Sequence, residues 1–282
     1  MATILHPAQK LINERGMVLF MPPNCMDADK VSLSEPDIYT QSSSQLYPLG
    51  SKLEFCDGRV FRYCKHGATS TAAPIARLVM NSNYCPGATG HADEDGFEGA
   101  PYANAAAAAT TVQIADTAST KNEYEDAMLV VYPSGHYTSY RIAGNDASGG
   151  TYTELVLDDP SGLKTAITTS TGITVYLSRF SNCRTFGAEG TAGYQSAIGV
   201  SQASGFTSAY YSWLQTKGAC IVTPTAYFGD SANERACFYN PSDGTIGTAA
   251  SYDPSSGYQC IGYLLSHTIS GYGDLWVMLM LE

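Results

Sequence analysis

Leu49-Gly50-Ser51-Lys52-Leu53-Glu54-Phe55 is followed, after one cysteine, by Asp57-Gly58 and then by Arg59-Val60-Phe61-Arg62-Tyr63. Apolar and polar side chains alternate in part along the first run and alternate again on the return. Period-two patterning of this kind puts successive side chains on opposite faces of a strand. Asp-Gly supplies the left-handed backbone that a tight turn between antiparallel strands needs. The stretch from Tyr47 to Tyr63 therefore predicts a β-hairpin.

Working outward, short runs rich in Val, Ile, Thr and Tyr recur at 110–114, 127–132, 138–142, 152–157 and 174–177. Pro133-Ser134-Gly135, residues 145–150 and Asp158-Asp159-Pro160-Ser161-Gly162 separate them as turns. Further on, Tyr210-Tyr211-Ser212-Trp213-Leu214-Gln215-Thr216 leads through Gly218 to Ala219-Cys220-Ile221-Val222. Residues 259–265 and 275–281 then form a closing pair, the last of them expected as a buried strand. Short strands with turn clusters at this spacing predict an all-β chain, an antiparallel β-barrel or sandwich. The expected division is an extended arm over 1–45, a hairpin and linker over 46–84, a loop over 85–109, and β blocks over 110–194 and 195–282. Residues 67–82, Ala-rich with Pro74, predict a short helical or irregular linker, and 85–109 an acidic, Ala-rich surface loop.

Pro7, Pro22, Pro23 and Pro36 interrupt regular structure in the arm. Within it, Met17-Val18-Leu19-Phe20-Met21 is an apolar patch that must pack on a neighbour, either the chain's own body or another subunit. Tyr211 and Trp213 share one face of their strand, as a core or a subunit interface requires. These seven residues are the interface candidates.

Composition narrows the function. Charged residues make up 15% of the 282, and the formal net charge is −11. That balance lacks the basic footprint of a nucleic-acid-binding protein. Twenty tyrosines favour strands, because aromatic side chains suit a pleated surface. Charges interrupt the N-terminal apolar residues, so the segment does not read as a secretory signal. No run approaches the ~20 apolar residues that span a bilayer. The eight cysteines are widely and irregularly spaced, without a CxxC pair, and are expected to be reduced and core-filling, Cys56 and Cys64 included.

Catalytic chemistry finds little support. The five histidines are scattered, and His91-Ala92-Asp93-Glu94-Asp95 lacks the ordered ligand pattern of a calcium loop. Glu123-Tyr124-Glu125-Asp126 and Asp158-Asp159 hold the carboxylates a glycoside hydrolase needs, but both sit where turns favour Asp. A nucleophile elbow, a phosphate-cradling loop and a dinucleotide fingerprint are all missing. The reading is a non-enzyme with no cofactor and no catalytic or metal-ligating residue.

The segment Leu49-Gly50-Ser51-Lys52, followed by Asp57-Gly58-Arg59-Val60-Phe61-Arg62-Tyr63 and Lys65-x-Gly67, resembles structural proteins encoded near the capsid genes of tailed bacteriophages, especially phages of aquatic bacteria. Ala127-Met128-Leu129-Val130-Val131, Tyr140-Arg141-Ile142, the stretch from Tyr210 to Gly218 and the short apolar closing strand continue the likeness in order. The acidic loop near 91–99 and the eight cysteines depart from it. The resemblance implies a capsid decoration (cement) protein on the outer surface of a virion, assembled in the host cytoplasm. Its implied partners are the major capsid protein and further copies of itself, in a homo-oligomer such as a trimer, with neither nucleic acid nor membrane. The arm would then hold neighbouring subunits, and its deletion would leave a folded body unable to bind capsids. Alternatives are a tail-fibre or spike module that binds host glycans and a subunit of an extracellular filament. A hydrolase ranks last.

Overall fold

The computed structural model describes residues 9–12, 17–21, 36–67, 75–87, 95–133, 135–185, 196–203, 205–226, 228–231, 234–240, 242–251, 258–266 and 275–282. Among them every regular element is a β-strand. The first five are β1 (Gln9–Ile12), β2 (Val18–Met21), β3 (Lys52–Glu54), β4 (Val60–Lys65) and β5 (Leu78–Asn81). Next come β6 (Phe97–Gly99), β7 (Thr111–Ile114), β8 (Met128–Tyr132), β9 (Thr138–Asn145), β10 (Thr153–Leu157) and β11 (Gly172–Tyr176). The last seven are β12 (Cys183–Thr185), β13 (Ala197–Ser201), β14 (Tyr211–Val222), β15 (Ala236–Tyr239), β16 (Ile246–Gly247), β17 (Cys260–Leu264) and β18 (Leu275–Met280).

The strands form two antiparallel sheets, and the larger curls into a half-barrel. That sheet has twelve strands in the order β1-β2-β3-β4-β14-β18-β17-β15-β16, with β13, β5 and β12 branching from β14. The smaller has six, in the order β6-β11-β8-β9-β10-β7. The whole six-stranded sheet thus lies in sequence between β5 and β12, which pair with each other.

The expected hairpin is β3 and β4, with Lys52 opposite Arg62 and Leu53 opposite Phe61. Gly58 N–H closes its turn on the Phe55 carbonyl at 3.0 Å. The longest strand, β14, joins the two halves of the large sheet. Its first half pairs with β4 and its second with β18. Gly218 marks the changeover, at φ +91, where an added Cβ would stand 2.8 Å from Arg59 Cα. A side chain there meets both a left-handed backbone and a neighbouring main chain.

Four expectations are corrected. Leu78–Asn81, placed in a linker, is a strand bordered by β12 on one edge and β13 on the other. Leu78, Val79 and Met80 are all buried, so both faces of β5 are covered and the run shows no alternation to read. Phe97–Gly99, placed in a surface loop, adds a short strand to β11. The arm contains paired strands, since β2 continues the sheet from β3 with Leu19 opposite Leu53. Cys56, expected in the core, is exposed beside the turn.

The half-barrel is filled by Leu78, Val200, Val222, Ile246, Ile261, Val277, Leu279 and their neighbours. Each such side chain contributes about 1.5–3 kcal/mol on full burial. A separate core, including Val112, Leu129, Val131, Ile142 and Leu155, backs the six-stranded sheet. A third gathers Tyr47, Tyr63 and Trp213, whose ring centroids lie 5.1–5.3 Å apart.

The two carboxylate clusters meet at one cation. Arg141 reaches Asp126 at 2.5 Å and Asp158 at 3.1 Å, and Ser178 Oγ donates to Asp126 at 2.6 Å. Asp126 therefore ties the turn before β8 to the segment after β11. Burial raises the Asp126 carboxyl above its ordinary range, although Arg141 pulls it back in part. These carboxylates are held by a structural cation, which gives their proximity a reason other than catalysis.

Candidate assembly surface

The interface candidates from the sequence fall largely inside the molecule. Met17 and Leu19 are buried, and they pack with Leu53, Phe61, Tyr63 and Trp213. Trp213 is itself 2% exposed, so this apolar set serves the chain's own core. Val18 and Phe20 face the other side of β2 and are half-buried, with Lys52 Nζ 5.3 Å above the Phe20 ring. Tyr211 is half-buried and stacks on Tyr63 at 6.0 Å. The Met21 side chain lies outside the described residues, as do Cys25, residues 91–94 and the Gly-rich segment 187–190. Of the two partners offered for the arm's apolar patch, the structure supplies the chain's own body.

A different surface stands open. Along β18 the side chains alternate strictly: Leu275, Val277 and Leu279 enter the half-barrel, while Trp276, Met278 and Met280 face outward. The antiparallel register then sets Ile221 opposite Trp276 and Lys217 opposite Met280. It also aligns Ala219, Met278, Tyr263 and Ala236 in one row across β14, β18, β17 and β15. Exposure is 46% for Ile221, 42% for Trp276, 44% for Tyr263 and 57% for Met280. These four strands carry a single charged side chain, Lys217. A contiguous apolar face of this kind marks a contact surface more often than a solvated one. Trp, Tyr and Met are also the residue types enriched at the centres of interfaces.

This surface escaped the sequence reading because Leu275-Trp276-Val277-Met278-Leu279-Met280 is apolar at every position. Alternation of exposure leaves no trace where both faces are apolar. The run was expected as a buried strand, and only its inner face is buried.

The buried thiols form a second notable arrangement. Cys64 and Cys183 share one packed cluster with Phe206 and Leu214. His66 Nδ1 donates to the Thr207 carbonyl at 2.9 Å, and Nε2 lies 2.8 Å from Ser212 Oγ. The imidazole also stacks on Phe206, with centroids 3.5 Å apart. Burial raises the Cys64 thiol, but bonds from Cys183, His66 and Ser212 outweigh it and bring Cys64 below its ordinary value. Burial holds Cys183 well above its own. With both sulfurs shut away from solvent, the arrangement fits packing and hydrogen bonding more than reaction.

No protein-family model matches the chain, and neither a curated protein nor a solved structure does.

Proposed function

We propose that this chain is a non-enzymatic structural protein of a tailed-phage virion, a decoration protein that coats and stabilises the capsid from outside. One observation carries the reading: the outward apolar row of Ile221, Trp276, Met278, Tyr263 and Met280, set on a sheet whose other face is a well-filled core. A rigid β body with one adhesive face suits a protein that must bind a repeated lattice. Many copies, each held weakly, then gain occupancy through multivalency. The net charge of −11 keeps unassembled copies apart and opposes contact with packaged DNA. The resemblance of the hairpin and later segments to phage structural proteins points the same way. The partners on this reading are the major capsid protein and further copies of the chain.

The test is cryo-electron microscopy of capsids lacking the protein, mixed with the wild-type chain or with a Trp276→Glu/Met280→Glu variant. Density over the outer capsid surface with the wild-type chain, lost with the variant, is the expected result. Equal occupancy by both would remove this face from attachment.

A glycan-binding tail-fibre module is the second reading, favoured by tyrosines on the other sheet. Tyr132 and Tyr137 meet edge to face at 5.3 Å, Tyr102 stacks on Tyr152 at 5.1 Å, and Tyr137 is 77% exposed. Exposed aromatic rings suit stacking on sugars. Binding on a glycan array, abolished by Tyr137→Ala, would favour this reading over the coat protein.

A further inference from the structure

The outward apolar row on the half-barrel carries two thioethers. Of the three outward positions on β18, one holds Trp276 and the others hold Met278 and Met280. Met280 is 57% exposed, the most open side chain of the row, and stands opposite Lys217. Met278 is half-buried between Ala219 on β14 and Tyr263 on β17. Other described methionines are placed differently. Met17 and Met80 lie in two of the cores at 3% and 1% exposure, and Met128 sits on the six-stranded sheet at 38%.

Methionine brings two properties to such a face at once. Its unbranched, polarisable side chain adapts to an irregular apolar partner. Its sulfur is also readily oxidised to the sulfoxide, which turns a flexible apolar side chain into a polar one. With hydrogen peroxide the O–O bond breaks, and one oxygen bonds to Sδ, which supplies the electron pair. The other oxygen leaves as water with both protons, so the thioether is oxidised by two electrons and the peroxide is reduced. On this row the new acceptor oxygen lies among Ile221, Trp276 and Tyr263. Closing an apolar contact over it strips its water, which costs free energy.

We propose that Met280 and Met278 make this face an oxidation-sensitive contact, which a peroxide opens by converting them to sulfoxides and a methionine sulfoxide reductase restores. The inference rests on the reading of this face as the attachment surface and adds its regulation. Placement makes the effect selective. Oxidation of Met128 alters the other sheet and leaves this face unchanged, while Met17 and Met80 are shielded by their cores.

The experiment treats the full chain with hydrogen peroxide and follows peptide mass spectrometry, retention on a hydrophobic-interaction column and binding to capsids lacking the protein. Met280 should be oxidised first and Met278 next, with Met17 and Met80 reduced until the chain unfolds. Retention should fall, capsid affinity should drop by about tenfold, and reductase treatment should restore both. A Met278→Leu/Met280→Leu variant should keep its retention and affinity with or without peroxide, whereas Met128→Leu should respond as the wild type does. Oxidation of both methionines that left retention unchanged, or left the affinity of a capsid-binding chain unchanged, would overturn the proposal. So would equal losses in the Leu variant. An untreated chain that fails to bind capsids, with retention still falling on oxidation, would remove the capsid as partner and leave the oxidation-sensitive face standing.

Discussion

Trp276 stands directly opposite Ile221 in the ladder between β14 and β18, and both side chains lie on the solvent side of the sheet. Their strand neighbours Val277 and Cys220 point the other way, into the half-barrel. One residue pair therefore separates what holds the fold from what is left over for contact.

That separation is measurable. Leu279→Ala should destabilise the chain by about 2–5 kcal/mol in urea unfolding, because it leaves a cavity in the core. Trp276→Lys should change stability by about 0.5 kcal/mol or less, as is usual for surface positions. Comparable losses from both substitutions would show that the outer face is not free.

The N-terminal strand offers a test of packing against adhesion. Leu19 is 3% exposed and sits opposite Leu53. Leu19→Ala should cost about 2–5 kcal/mol of stability. An arm that served only to grip neighbouring subunits would lose capsid binding and leave unfolding unchanged. Deleting residues 1–45 should likewise impair folding of the body, since it uncovers the aromatic core around Trp213.

Arg141 reports on the ion cluster that ties together the turns of the six-stranded sheet. Its replacement by Met should destabilise the chain at neutral pH by about 3 kcal/mol, because Asp126 and Asp158 lose their shared counter-charge. Burial already raises Asp126 above its unfolded value, and without Arg141 it should rise further. The folded state then binds more protons than the unfolded one, so stability falls as pH rises through this range. The deficit of the variant should accordingly shrink as pH falls toward the carboxylate range. A deficit that stayed constant with pH would exclude the ionic origin.

Glu282 should behave in the opposite sense. Burial pushes its carboxyl up, but Arg62 and Thr216 bond to it and bring it below the ordinary glutamate value. Its contribution is complete above that ordinary value and is lost as pH falls through the depressed folded one. Melting curves of wild type and Glu282→Gln should differ at neutral pH by less than about 1 kcal/mol and converge in acid.

The thiols provide a structural census. Cys56, Cys85 and Cys260 are exposed, whereas Cys64, Cys183, Cys220 and Cys237 are buried. Burial pushes Cys220 and Cys237 up to about 12, which further suppresses the reactive thiolate. Alkylation under native conditions, read by mass spectrometry, should mark the first three and reach the other four only on unfolding.

Local patterning was enough for the strand class and most strand positions. The Asp57-Gly58 hairpin, the runs of β8 to β10 and the closing pair β17 and β18 all follow from alternation and turn chemistry, which act between near neighbours in the chain. The same reading placed Leu78–Asn81 in a linker, because a strand buried on both faces carries no alternation. It left Met17, Leu19 and Trp213 open between a core and an interface and kept them as interface candidates, because an apolar stripe looks alike whether its own body or a partner covers it.

Pairing was decided only in three dimensions. The partner strands of β5 follow a complete intervening sheet of six strands, and the second partner of β4, beyond its hairpin neighbour β3, is β14, well over a hundred residues away. Which face of β18 stays exposed depends on those pairings. Side-chain periodicity is a property of the backbone within a few residues, whereas coverage of a face is a property of whatever distant segment packs on it.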